Sequence, residues 1–184
     1  MTDTSRRPSR RTCRRTLRTL AAAPLLALLA GCGSLLTPSG PTDPMAPEGG
    51  VLMSTLTAAG TQQFQCAADK QGRWWKFIAP DVELRDAAGH VVAHQGADFI
   101  FRASDGSVAS AKIVKWDKHP KSAENLRDVL FQTTARGKKS GLMTGVRWVS
   151  RTEGKGGQPL AACSPSQLGS TMKIPFTATY RFYR

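Results

Sequence analysis

The stretch KIPFTATYRFYR, residues 173–184, decides the fold of this chain. Every second residue from Ile174 to Phe182 is apolar, and the residues between them are mostly polar. Because successive side chains of a strand point to opposite faces, this period of two predicts a β-strand with one face in a core. We expect this terminal strand to be paired in a sheet.

The segment Leu142–Arg151 shows the same alternation of apolar and polar residues. One predicted face carries Leu142, Val146 and Trp148, and the other carries Arg147 and Arg151. This alternation predicts a second half-buried strand.

From Thr61 onward, short apolar runs are separated by turn residues, which is typical of an all-β domain. Asp86–Gly89 and Asp105–Gly106 are predicted hairpin turns, because glycine supplies the positive φ that such turns require. The predicted strands here are Gln63–Ala67, Trp74–Ile78, Val82–Arg85, Val91–His94, Asp98–Ala103 and Ser107–Trp116.

One segment has helical spacing. Ser122 can cap a helix, and Leu126, Val129 and Leu130 repeat at helical intervals up to about Thr134. We therefore predict an all-β fold, either an antiparallel β-sandwich or a partly closed barrel, with one short helix.

The amino-terminal region has the pattern of a bacterial lipoprotein signal. Seven arginines precede an apolar run, Leu20–Ala30, which at eleven residues is shorter than the roughly 20 that a membrane-spanning helix needs. Leu29-Ala-Gly-Cys32 then predicts cleavage before Cys32 and attachment of lipid to its thiol. An ordinary secretory signal followed by a chance cysteine is the alternative.

This signal sets the domain organisation. Residues 1–31 are the predicted signal peptide, residues 32–60 a flexible tether rich in Pro and Gly, and residues 61–184 the β-rich domain. Gly33 follows the cysteine, where an aspartate commonly retains lipoproteins in the inner membrane. The predicted location is therefore the cell envelope, with the outer membrane favoured. The export route, general secretory or twin-arginine, stays open.

The net charge also depends on the signal. The formal charge is +13, but residues 1–31 hold seven arginines and one aspartate, which leaves +7 on the remainder. Nucleic-acid binding thus loses most of its support. The predicted partners are the membrane, through the lipid on Cys32, and anionic envelope components. No cofactor is predicted.

Cys66 and Cys163 form a pair once Cys13 leaves with the signal and Cys32 carries lipid. In an oxidising compartment they predict a disulfide. Two free thiols or a metal site are the alternatives, although no Cys-x-x-Cys spacing supports a metal.

The candidate catalytic residues are scattered. His90 and His94 have the spacing of a helical zinc site, but on a predicted strand they lie about 13 Å apart. We therefore predict no metal site. His94, Ser107 and Asp86 are the residues that an exported enzyme of unrecognised type would use, yet no Gly-x-Ser-x-Gly elbow is present.

A candidate binding surface combines basic and aromatic residues. Lysines at every third position form either a cationic strip for phosphate-bearing headgroups and other polyanions, or an edge that blocks aggregation. Of two adjacent tryptophans on a strand, at most one lies in the core, because they point to opposite faces. The other either lines a binding surface or packs beneath the tether. The surface comprises Trp74, Trp75, His94, Lys112, Lys115 and Lys118.

Eight short motifs are spread over residues 60–184: Phe64-x-Cys66, Trp75-x-Phe77, Leu84-x-Asp86, His94-x-Gly96, Asp105-Gly-Ser107, Thr152–Pro159, Cys163 and Ile174–Tyr183. As a set they resemble an uncharacterised bacterial and fungal family, domain of unknown function three-four-five-five. The resemblance implies a secreted domain and names no activity. We therefore expect a membrane-anchored envelope lipoprotein with a non-enzymatic binding or interaction domain, and keep the exported enzyme as the alternative.

Overall fold

The computed structural model describes residues 42–138 and 140–184. Within them, eight strands form one antiparallel sheet, in which each strand pairs with the next and the last pairs with the first. The strands are β1 Leu52–Asp69, β2 Gly72–Arg85, β3 Val91–Gln95, β4 Phe101–Ala103, β5 Val108–Trp116, β6 Val129–Arg136, β7 Trp148–Gly156 and β8 Thr171–Tyr183. The predicted all-β class is confirmed, and the sheet closes into a ring.

The ring is not a regular barrel, because its wall is incomplete on one side. β4 has three residues and pairs with β5 only at Phe101–Ala109 and Arg102–Val108. β3 pairs with β2 only from Val82 to Arg85. The first ten residues of β2 and the second half of β5 therefore have a ladder partner on one side only, among the described residues.

Aromatic side chains fill the middle of the ring. Phe101 makes edge-on contacts with Phe131, Tyr180 and Phe182, at ring-centroid distances of 6.2, 6.1 and 5.8 Å. All four residues are fully buried, and the Tyr180 hydroxyl donates to Gln95 Oε1 at 2.8 Å. The interior is thus a packed core at this level, as in small barrels whose side chains fill the lumen.

β8 follows the predicted period of two. Phe176, Ala178, Tyr180 and Phe182 are buried, which confirms the face that the sequence predicts for this part of the strand.

β7 is displaced from its predicted position. It begins at Trp148, and Val149 rather than Trp148 lies in the core. Residues 142–147 form a loop instead, in which Thr144 N–H donates to the Gly141 carbonyl and Gly145 has a φ of 74°.

The predicted helix at Ser122–Thr134 is wrong. Leu126, Val129 and Leu130 are buried as expected, but Val129–Arg136 is strand β6. Short apolar spacings of three and four do not separate a helix from a strand, and β-branched and aromatic residues favour the strand here. The helical content of the described residues is two 3-10 turns, at Ala97–Phe99 and Pro165–Gln167.

Two further strand predictions change in extent. The predicted strands Trp74–Ile78 and Val82–Arg85 are parts of the single strand β2. The predicted strand Asp98–Ala103 begins only at Phe101, because Asp98 and Phe99 have φ values of 55° and 52°, which are not extended.

The predicted tether is wrong for the described residues between 42 and 60. β1 begins at Leu52, and a Cβ atom on Gly60 would lie 2.2 Å from the Asp81 carbonyl oxygen, so this glycine permits the close approach of β1 and β2. Met45 is buried, and Asp43 accepts hydrogen bonds from Ser150 Oγ and the Tyr183 hydroxyl. Residues 32–41, Cys32 and the predicted signal peptide lie outside the described residues.

The predicted disulfide is confirmed. Cys66 on β1 is bonded to Cys163, with the two Cα atoms 5.9 Å apart, and the bond ties β1 to the loop before β8. In the part of the chain that the structure describes, no helix is long and apolar enough to cross a bilayer.

Candidate functional site

An open depression lies beside the aromatic core, and its lining includes the partly exposed side chains of Trp116 and Ile113. Its volume is about 420 Å³, and we call it the mouth cavity. Its lining consists of Ile113, Trp116, Arg127, Val129, Arg151 and Gln158. Three of these side chains are apolar or aromatic, two are cationic and one is a neutral amide.

Strand register brings the lining together. Trp116 pairs with Val129, Val129 pairs with Arg151, and Arg151 pairs with Tyr180. These residues therefore lie at one level on β5, β6, β7 and β8, and this level includes Tyr180 of the aromatic core.

A β-bulge in β5 turns Trp116 toward the cavity. The bulge lies between Ile113 and Lys115, so that Ile113 pairs with Phe131 and Trp116 pairs with Val129. Opposite residues of an antiparallel pair share a face, and both β6 partners belong to the core. Without the extra residue, Trp116 would point away from Ile113, three positions earlier.

Arg151 is a buried cation in this cavity, with 6% of its surface exposed. Its Nη2 donates to the Arg127 carbonyl at 3.0 Å, and the guanidinium also interacts with the Tyr180 hydroxyl, whose pKa burial raises. Its Nε has almost no accessible surface and no hydrogen-bond partner among the described residues. The ion pairs within these residues are Arg85–Glu83, His90–Asp86 and Arg181–Glu153, and Arg151 takes part in none of them.

The neighbouring carboxylate of Asp128 is engaged elsewhere. Its Oδ1 accepts from the Glu153 N–H at 3.2 Å. Partial burial raises the pKa of Asp128, and this effect outweighs the opposing charges of Lys121 and Arg151. The cavity therefore joins an apolar wall to a guanidinium whose charge is not offset by a contacting carboxylate, which is an arrangement that can hold an anion with an apolar body.

None of the six residues of the predicted binding surface lines the mouth cavity. Trp74 is 40% exposed near the tip of the β1–β2 hairpin, and Trp75 beside it is half-buried. His94 is exposed on β3, where it pairs with Arg102 and Glu83.

The predicted lysines lie outside the ring. Because of the bulge, Lys112 and Lys115 share the outer face of β5, opposite Gln132 and Leu130. Lys112 lines a polar groove of about 420 Å³ together with Gln132, Arg136 and Asp98. Lys118 is exposed beyond the end of the strand.

The three residues of the enzyme alternative are not brought together: Ser107 and Asp86 belong to separate hydrogen-bonded turns, and His94 lies on strand β3. Ser107 Oγ donates to Asp105 Oδ1 at 2.6 Å and accepts from the Met143 N–H at 3.1 Å. Asp86 accepts from the backbone N–H groups of Ala88 and His90. His94 hydrogen-bonds neither of the other two. Residues 42–138 and 140–184 also hold no group of three His, Cys, Asp or Glu residues suited to a metal ion.

The family described as "Protein of unknown function (DUF3455)" matches residues 87–184, which is more than half of the chain. The chain belongs to this family. The DUF3455 match includes β3 to β8 and every residue of the mouth cavity, whereas β1 and β2 lie outside it. It confirms the resemblance inferred from the motifs over this range. Comparison with curated proteins and with solved structures found no match.

Proposed function

We propose that this DUF3455 protein is a lipid-anchored protein of the bacterial cell envelope whose ring domain binds a small ligand in the mouth cavity without catalysing a reaction. The lipid anchor is supported by the Leu29–Cys32 motif and its arginine-rich leader. The disulfide between Cys66 and Cys163 fits an oxidising compartment outside the cytoplasm.

The observation that carries the binding function is the buried Arg151 in the mouth cavity. A charge inside a protein is costly unless it is paired and hydrogen-bonded. A bound ligand that supplies the opposite charge accounts for an arginine at this position. The volume also lies within the roughly 300–1,000 Å³ of typical small-molecule sites.

The exported enzyme has weaker support than the binding domain. Its proposed residues, His94, Asp86 and Ser107, are spread over separate turns and strands and do not face the mouth cavity. Catalysis of hydrolytic type needs a nucleophile, a base and an orienting acid in mutual contact.

Binding in the mouth cavity is tested with the anionic aromatic dye 8-anilinonaphthalene-1-sulfonate. We expect its fluorescence to rise on addition of the folded protein. Trp116→Ala should weaken the affinity by about two- to tenfold, because one aromatic contact contributes about 0.5–1.5 kcal/mol. Trp116 is 53% exposed, so the fold should tolerate this change.

Trp74→Ala is the matched control, because Trp74 is also a partly exposed tryptophan but lies outside the cavity. We expect this variant to bind the dye like the parent protein. Equal losses in both variants, or no fluorescence change with folded protein, would argue against a ligand site in the mouth cavity.

A further inference from the structure

We infer that the ligand of the mouth cavity is a monoanionic amphiphile, a carboxylate head on an apolar body, with Arg151 as its counter-ion. This inference rests on the proposed binding function and names the ligand class for that site.

The charges around the cavity set the charge of the ligand. Arg151 is the buried cation, whereas Arg127 is exposed and thus solvated. Glu153 is held by Arg181 and by Thr179. The Asp128 carboxylate interacts with the Arg151 charge at longer range but is not part of the cavity lining. One buried positive charge therefore faces the cavity, and a single negative charge neutralises it. A dianion would keep one charge in poorly solvated surroundings, at a cost in free energy.

The donors of Arg151 match a carboxylate. A guanidinium is a planar fork that binds the two oxygens of a carboxylate side by side. Nη2 uses one N–H for the Arg127 carbonyl, and Nε donates to no described group. Nε has almost no accessible surface, so a planar oxyanion reaches this edge of the fork only when the side chain turns toward the cavity.

The walls of the cavity determine the rest of the ligand. Ile113, Val129 and Trp116 present apolar surface, and the side chains of Arg127 and Gln158 supply the polar part of the lining. The outer groove beside Lys112 differs, because its lining is mainly polar and charged. An apolar body is therefore favoured in the mouth cavity and not in the groove.

The test is calorimetric titration of the full chain carrying Cys32→Ser, which removes the acceptor thiol of the proposed anchor so that no attached acyl chain competes. The probes are octanoate, octanol, octylammonium and octyl phosphate, which share one tail. We expect octanoate to bind about tenfold or more tightly than octanol, since hydrogen bonds to charged groups are the stronger ones. Octylammonium should not bind, and octyl phosphate at pH 8 should bind more weakly than octanoate.

Arg151→Gln should reduce the affinity for octanoate by about tenfold or more and leave that for octanol within about twofold. Lys112→Gln is the charge-matched control and should change neither affinity. Because Arg151 is buried, the fold of its variant is checked by circular dichroism. Trp116→Ala is the second variant, and it should weaken octanoate and octanol alike.

Equal binding of octanoate and octanol, unchanged octanoate binding in Arg151→Gln, or tighter binding of octyl phosphate would overturn the carboxylate assignment while leaving a binding cavity in place. If neither octanoate nor octanol binds and the dye does not respond to the folded protein, the proposed binding function itself fails.

Discussion

Two arginines on neighbouring strands of the ring, Arg151 on β7 and Arg181 on β8, are both more than nine-tenths buried. Arg181 has a carboxylate partner, since its Nη2 lies 3.0 Å from Glu153 Oε1, and its Nη1 donates to Thr152 Oγ1 at 2.7 Å. Arg151 has no such partner in the described part of the chain. The contrast separates an arginine that has a carboxylate partner from the one that we propose as the counter-ion of a ligand.

The structural role of Arg181 predicts a pH-dependent stability. Hydrogen bonds from Thr179 and Arg181 lower the pKa of Glu153. The ionised carboxylate therefore stabilises the fold above the ordinary glutamate pKa of 4.5, and this contribution is lost as the pH falls through the lowered pKa. Solvent screens the Glu153 carboxylate, because half of its side chain is exposed. We therefore expect Glu153→Gln to reduce the free energy of unfolding at pH 7 by about 0.5–1 kcal/mol.

Urea unfolding at pH 7, 5 and 3 measures this effect, and the difference between parent and variant should shrink toward pH 3. Glu83→Gln is the control, because Glu83 and its partner Arg85 are both partly exposed and such pairs contribute little. A Glu153→Gln difference that is the same at all three pH values would show that the ion pair does not stabilise the fold.

The burial of Arg151 could not be predicted from hydrophobic alternation. The sequence places Arg151 with Arg147 on a solvent face, opposite Trp148. In the structure Val149 and Arg151 share the inward face of β7. The buried valine identifies this face, because residues two positions apart on a strand point the same way. A prediction from alternation places charged residues on the solvent face by default. It therefore does not find an arginine that lies on the inward face of a strand.

For the strands, the alternation of apolar and polar residues predicts where a strand lies better than it predicts how that strand pairs with its neighbours. β8 follows its predicted face from Phe176 to Phe182, because each inward position is apolar. The bulge in β5 is defined only by pairing with β6, and that pairing decides which side Trp116 and Lys115 face. The position of Trp116 in the cavity therefore could not be read from β5 alone.

The sequence predicts the disulfide between Cys66 and Cys163, with free thiols or a metal site as alternatives, and the structure confirms the bond. The bond in turn predicts a measurable contribution to stability. Cys66 and Cys163 are separated by 97 residues, so the bond closes a long loop of the unfolded chain. We expect the double variant Cys66→Ala, Cys163→Ala to lose about 2–4 kcal/mol of unfolding free energy. Urea unfolding measures this loss, and parent protein in reductant should unfold like the variant. Unchanged stability in both samples would contradict the prediction.

At the scale of the whole molecule, contacts between distant segments close the ring and dock its amino-terminal end. Asp43 accepts hydrogen bonds from Ser150 and Tyr183, which lie 107 and 140 residues further along the chain. Burial, together with the Asp43 carboxylate, raises the pKa of Tyr183. Composition alone predicts a tether here, because a Pro- and Gly-rich segment gives no sign of the distant groups that hold it.

The lipid anchor is the whole-molecule prediction on which the proposed location depends. We expect membrane-extracted protein to have the mass of residues 32–184 plus two or three acyl chains, and to gain two hydrogens on reduction of the disulfide. Cys32→Ser should lack the acyl mass and leave the membrane fraction, because a serine hydroxyl does not replace the acceptor thiol. Cys13→Ser changes a cysteine within the predicted signal peptide and should leave both mass and fractionation unchanged. An unacylated parent protein, or a Cys32→Ser variant that fractionates like the parent, would contradict the lipid anchor.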